Sequence, residues 1–216
     1  MVVLAQGHAR RPWEPPERRP SRPPVPATDP DPGLAPWLAE RLFDRRIVFL
    51  RGPITSPSAS TAAATLLSLD ALSTPEPPGG ASDPVQLHLA APDGDLDAVL
   101  ALIDTIDSMH VPVHAVATAE IGGAAIGVYA VARRRLAYPH ARFRLAEPRV
   151  TEIAGTADEV AAAAGRHLRA LEDLLVRVAD ATGQPRSRVE DDFGSGVLLD
   201  AAQARDYGLV DEISGR

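Results

Sequence analysis

The chain has 216 residues, 45% of them hydrophobic, and carries a formal net charge of −7. Such a length accommodates one domain with a sizeable core plus an extension, and the acidic balance argues against a nucleic-acid partner, which needs a basic face. There is no cysteine, and all 22 basic residues are arginine. A disulfide framework, a thiolate nucleophile, Cys-ligated zinc, Ser-Lys dyads, Schiff bases and P-loops are thereby excluded, because arginine stays protonated and serves as neither base nor amine nucleophile.

No apolar run reaches the ~18 residues of a membrane span. The start, MVVLAQGHARRPWEPP, has the wrong order for a secretory signal, in which charge precedes a longer apolar segment. A soluble, cytoplasmic protein is the expectation. Residues 1–36 hold ten of the 21 prolines, interleaved with arginine and acids. Proline stops helices and central strands, and so few apolar groups do not offset ordering entropy. This stretch is expected to be a disordered or polyproline-like arm, although SRPPVP also holds a PxxP pattern of the kind that proline-reading domains take.

A domain over 37–216 follows. PWLAERLFDRR is an amphipathic lead-in, and RIVFLRG reads as a buried strand closed by Gly52. Ser56 to Leu72 has helical spacing behind Ser and Thr caps, and TPEPPGGASDP is a loop. VQLHLAA is a second strand, PDGD turns into a helix from about Leu96 to Met109, and VPVHAVAT is a third strand. The stretch AVATAEIGGAAIGVYAVA then runs from strand through paired glycines into a helix of small residues suited to burial. After Arg133-Arg134-Arg135, read as a solvated or interface turn, come strands LAYP and ARFRLAEP. A long helix over about 157–181 has Val160, Leu168, Leu171, Leu175 and Val178 on or near one stripe. TGQPRSRV opens a short helix, and LLDAAQARDYGLVDEI ends the domain as helix, glycine stop and strand. The βαβαβα order predicts an α/β fold with a mainly parallel, buried sheet and helices outside it.

RLFDRRIVFLRGPI, VQLHLAAPDG, ARRRLAYPHARFRLAEP, TGQPRSRVEDDF and AAQARDYGLVDEI, taken in this order, resemble the proteolytic subunit of the Clp protease (ClpP), within the crotonase-like superfamily. The resemblance implies a sheet of repeated ββα-type units, a protruding handle (about 149–181), a Ser-His-Asp peptidase, stacked rings of seven and an ATP-driven (AAA+) unfoldase partner. It also exposes what is missing. The family's AASMG motif reads Gly123-Ala124-Ala125-Ile126-Gly127 here, so Ala125 stands at the serine position. No Ser, Cys or Thr occurs from Ala119 to Ala132. The family's RxMIHQP strand reads Arg142-Phe143-Arg144-Leu145-Ala146-Glu147-Pro148, with Ala146 at the base. His140 is ~20 Å away along an extended strand. Gly196 falls at the acid, with Asp192 four residues earlier. The SPGG turn becomes Ala91-Pro92-Asp93-Gly94, so Asp93 and Ile126 occupy the two oxyanion-hole positions. A carboxylate there puts negative charge where the transition state develops it.

No cofactor or metal is expected. His110 and His114 straddle Pro112 and share no helix face, while Asp191-Asp192 and Asp93/Asp95/Asp97 have no accompanying histidine. Two readings follow. One is a ClpP-like subunit in a homo- or hetero-oligomeric ring, catalytically silent and structural or regulatory. The other is a crotonase-like acyl-CoA enzyme that polarises a thioester with backbone N–H groups alone, against which stands the lack of an evident basic pocket for coenzyme A.

Overall fold

Proline at the first position of a helix loses nothing, since its missing N–H would have no partner there. Accordingly α1 (Pro36–Asp44) begins on Pro36, and Arg46, at a left-handed φ of 57°, turns the chain into β1 (Ile47–Arg51). The computed structural model describes residues 36–73, 83–148 and 155–215, all within the unit Pro36–Arg216. The proline-rich arm, up to residue 35, lies outside the described residues.

Helix α2 (Ser56–Ala71) starts from a reciprocal capping box between Thr55 and Ser58, which satisfies two N–H groups that the helix itself leaves unpaired. Strand β2 (Val85–Ala90) leads to α3 (Leu96–Ser108), whose cap is Asp95 accepting from the Ala98 N–H at 3.0 Å. Strands β3 (Val113–Ala117) and β4 (Glu120–Gly122) precede α4 (Ala125–Ala130), and β5 (Arg134–Ala137) and β6 (Arg142–Leu145) precede α5 (Ala157–Thr182). The chain closes with α6 (Arg186–Ser195), β7 (Val197–Asp200), α7 (Ala201–Tyr207) and β8 (Glu212–Ile213).

The main sheet is five-stranded and parallel throughout, in the order β1-β2-β3-β5-β8. Its register aligns Leu50, Leu89, Ala117 and Ala137 in one row, all buried beneath the helices. A second sheet, β4-β6-β7, lies beyond the ends of these strands; β4 pairs parallel with β6, and β6 antiparallel with β7. The units β3-β4-α4 and β5-β6-α5 have the expected ββα form. In the two earlier units the second strand shrinks to a single parallel bridge between Ile54 and Gly94.

Four sequence readings need correction. Glu120–Gly122 is a strand and not only a glycine turn, and Leu198–Asp200, expected to open a helix, belong to the strand Val197–Asp200. Three- and four-residue strands carry too little alternation to be read. Arg134 and Arg135 belong to strand β5 rather than to a turn. The Arg135 guanidinium pairs with Asp211 and donates to the Ala181 carbonyl at 2.7 Å, tying β5 to α5 and to the chain end. Finally, the stripe on the handle is not continuous. Leu175 and Val178 are buried in this chain's own core and Leu171 packs partly against it, whereas Leu168 is 64% and Val160 37% exposed. The segment RVTEIAG, which precedes α5, lies outside the described residues over 149–154.

Candidate functional site

The candidate centre forms where the second sheet meets the start of α4. Gly122 pairs with Arg144 across β4 and β6, and the Gly123 N–H donates to the Arg144 carbonyl at 3.1 Å. Gly123, at φ +53°, then turns the chain into α4. That positive φ is cheap for glycine and strained for other residues. All six residues of α4 are buried. Gly127 lets the helix approach the handle closely: a Cβ there would lie 2.2 Å from Leu174 Cδ1 and 3.0 Å from Ile103 Cδ1.

The ladder between β6 and β7 pairs Leu145 with Val197 at its end, and Ala146 and Gly196 are the residues next to that pair in the chain. Ala125, Ala146 and Gly196 therefore come from three separate elements to one end of the small sheet. Ala125 is fully buried, Ala146 is half-buried and Gly196 is exposed at the left-handed C-cap of α6, with φ 74°. His140 sits in the turn before β6, at the opposite end of that strand from Ala146.

The hydroxyls that do lie close are already engaged. Tyr129, within α4, donates to the Leu136 carbonyl at 2.9 Å, and its burial pushes the phenol pKa far above the usual value. Ser195 donates to the Asp191 carbonyl at 2.7 Å. Asp192, the acid nearest in sequence to Gly196, accepts from the Tyr207 hydroxyl at 2.8 Å and lies 3.7 Å from Arg188 Nε. Of the two positions expected at an oxyanion hole, Ile126 donates its N–H to the Gly123 carbonyl at 3.2 Å. Asp93 curls its carboxylate back, Oδ1 accepting from the Gly94 N–H at 2.8 Å. Among the described residues, no group of His, Cys, Asp and Glu is arranged to hold a metal.

A family model for the Clp protease matches residues 36–216. The chain belongs to the Clp protease family. A relative, the ATP-dependent Clp protease proteolytic subunit 1 of Chlamydia caviae, is 32% identical over 179 residues, covering 82% of this chain and 90% of its own length. The resemblance carried by five short sequence pieces is thus a family relationship across the whole described domain. Clp family membership is consistent with the mainly parallel sheet and with the long α5 in the handle position.

Two features of this Clp-family centre went unread in the sequence. Arg144 donates through Nε to Glu120 Oε1 at 3.1 Å and through Nη2 to the Pro92 carbonyl at 2.7 Å, joining β4, β6 and the turn after β2. The same turn rests directly on the Gly122-Gly123 pair. The adjacent glycines were the available signal, since a close backbone approach is a usual reason for them.

Proposed function

We propose that this chain is a catalytically silent ClpP-like subunit that takes a structural or regulatory place in an oligomeric ring, with ClpP-like subunits as neighbours and an AAA+ unfoldase as the candidate partner. One observation carries this reading. Ala125, Ala146 and Gly196 stand where the family resemblance expects the triad, and none of them offers a nucleophile, a base or an acid. Triad members act as a unit, so losing them removes nearly all of the rate that such a site provides.

The acyl-CoA alternative needs vacant N–H donors to polarise a thioester. The Asp93 carboxylate, at a position that the resemblance assigns to such a hole, counts against it. The test is a fluorophosphonate probe and an unstructured peptide applied to the purified full chain. No labelling and no cleavage are expected. Stoichiometric labelling of any serine overturns the reading.

A further inference from the structure

Asp93 and Gly123 form a reciprocal exchange of side-chain volume across the cleft. The family motifs place Gly in the turn and Ala at the helix start, whereas here the turn carries Asp93 and the helix start Gly123. A Cβ added at Gly123 would lie 2.2 Å from Asp93 Oδ1 and 3.1 Å from its Cγ. Real Cβ atoms essentially never come so close, so the carboxylate in this position lies beside the bare α-carbon, and a side chain at Gly123 requires it to turn away. Its neighbours close the gap further. The Gly122 N–H donates to the Ala91 carbonyl at 2.9 Å, and a Cβ at Gly122 would lie 2.5 Å from the Pro92 oxygen, which also accepts from Arg144 Nη2. The turn after β2 thereby meets the glycine pair through the backbone oxygens of Ala91 and Pro92 and through the side chain of Asp93.

We infer that Asp93 is a built-in plug: its carboxylate, seated on Gly123 and held by the Gly94 N–H, fills the space in which the carbonyl of an extended peptide would lie, and excludes peptide from the cleft. The inference deepens the silent-subunit reading and rests on it. Loss of the triad removes chemistry; the plug removes binding. Arg144 has a positioning role here, because its bond to the Pro92 carbonyl fixes the turn one residue before Asp93.

A double-mutant cycle on the full chain tests the contact. Gly123→Ala, Asp93→Gly and the double variant are melted alongside the wild type, the backbone strain of Ala at a positive φ being present in both backgrounds and cancelling. Gly123→Ala is expected to lower Tm by at least about 3 °C more in the wild-type background than beside Asp93→Gly. Equal losses in both backgrounds overturn the plug. Binding of a fluorescein-labelled unstructured peptide, followed by anisotropy, tests the exclusion. Asp93→Gly is expected to bind at least about tenfold more tightly than the wild type, while Asp93→Asn, which keeps the volume without the charge, binds no better than the wild type. Wild-type binding equal to that of Asp93→Gly, or opening by Asp93→Asn, overturns it. Turnover of the peptide by the wild type would instead sink the silent-subunit reading, and an uncoupled cycle with no turnover would sink the plug alone.

Discussion

At the residue scale, the proposed silence of the centre is a matter of what the side chains at Ala125, Ala146 and Gly196 lack. Ala125 is fully enclosed at the start of α4. A serine placed there would keep the high pKa of an ordinary hydroxyl, because no histidine stands at Ala146 to take its proton. Ala125→Ser alone is therefore expected to show no peptide hydrolysis above the wild-type background, and turnover comparable to that of an active family member would contradict this. Gly208 has a different duty. At φ +91° it caps α7, and an added Cβ would lie 2.3 Å from the Thr182 carbonyl oxygen. Gly208→Ala should cost at least about 1 kcal/mol in denaturant melts, and an unchanged midpoint would disprove the contact.

Asp70 supplies the pH dependence at this scale. Burial by itself would raise its pKa, but hydrogen bonds from the His110 ring and from the Val111 and His110 N–H groups outweigh that and hold the carboxyl below its ordinary 3.8. The geometry agrees: Oδ1 accepts both N–H groups at 2.9 Å, and Oδ2 lies 3.0 Å from His110 Nδ1. A depressed folded pKa means that the stabilisation is complete above the unfolded value and is lost as pH falls through the folded one. Thermal melts of the wild type should weaken below about pH 4. Asp70→Asn should melt lower at neutral pH and fall less on acidification. Parallel wild-type and variant profiles would show that this clasp, which joins α2 to the turn before β3, contributes nothing to acid sensitivity.

At the element scale, α5 divides its work along its length. Its N-terminus is closed by the reciprocal bonds of Thr156 and Glu159, and its C-terminus by Gly183 in the left-handed region. Between these caps, Leu174, Leu175 and Val178 are buried against the domain, Leu174 reaching over Gly127 of α4. Leu168, nearer the N-terminus, is left in water. A substitution meant to probe assembly therefore belongs at Leu168 and not at Leu175. Leu175→Ala should destabilise the fold by about 2–5 kcal/mol through transfer and cavity costs. Leu168→Glu should leave the melt within about 0.5 kcal/mol of the wild type while shifting the chain to smaller species in sedimentation. An unchanged sedimentation profile for Leu168→Glu would remove the handle from the proposed ring contacts.

At the scale of the whole molecule, much was legible in the sequence because it is governed locally. Strands β1 and β2 place apolar residues at alternate, buried positions, Val48 and Leu50 in one and Val85, Leu87 and Leu89 in the other, and that period of two is written in the sequence. Caps such as Thr55, Asp95, Gly183 and Gly208 stand where their side chains or glycine backbones terminate a helix. Composition alone removed thiol, lysine and Cys-zinc chemistry, and the stretch from Ala119 to Ala132 by itself excluded a hydroxyl or thiol nucleophile of the Ser, Thr or Cys type. Tertiary structure alone decided the rest. An apolar stripe is the same string of letters whether it faces its own core or another subunit, so only packing could assign Leu175 to this chain and leave Leu168 outside. Strands as short as β4 and β7 exist only because β6 pairs with both, which no local periodicity records. The carboxylate of Asp93 meets Gly123 across a contact between distant parts of the chain, where a missing methyl on one side makes room for the side chain on the other. Volume complementarity of that kind is a property of the folded pair and of neither residue alone.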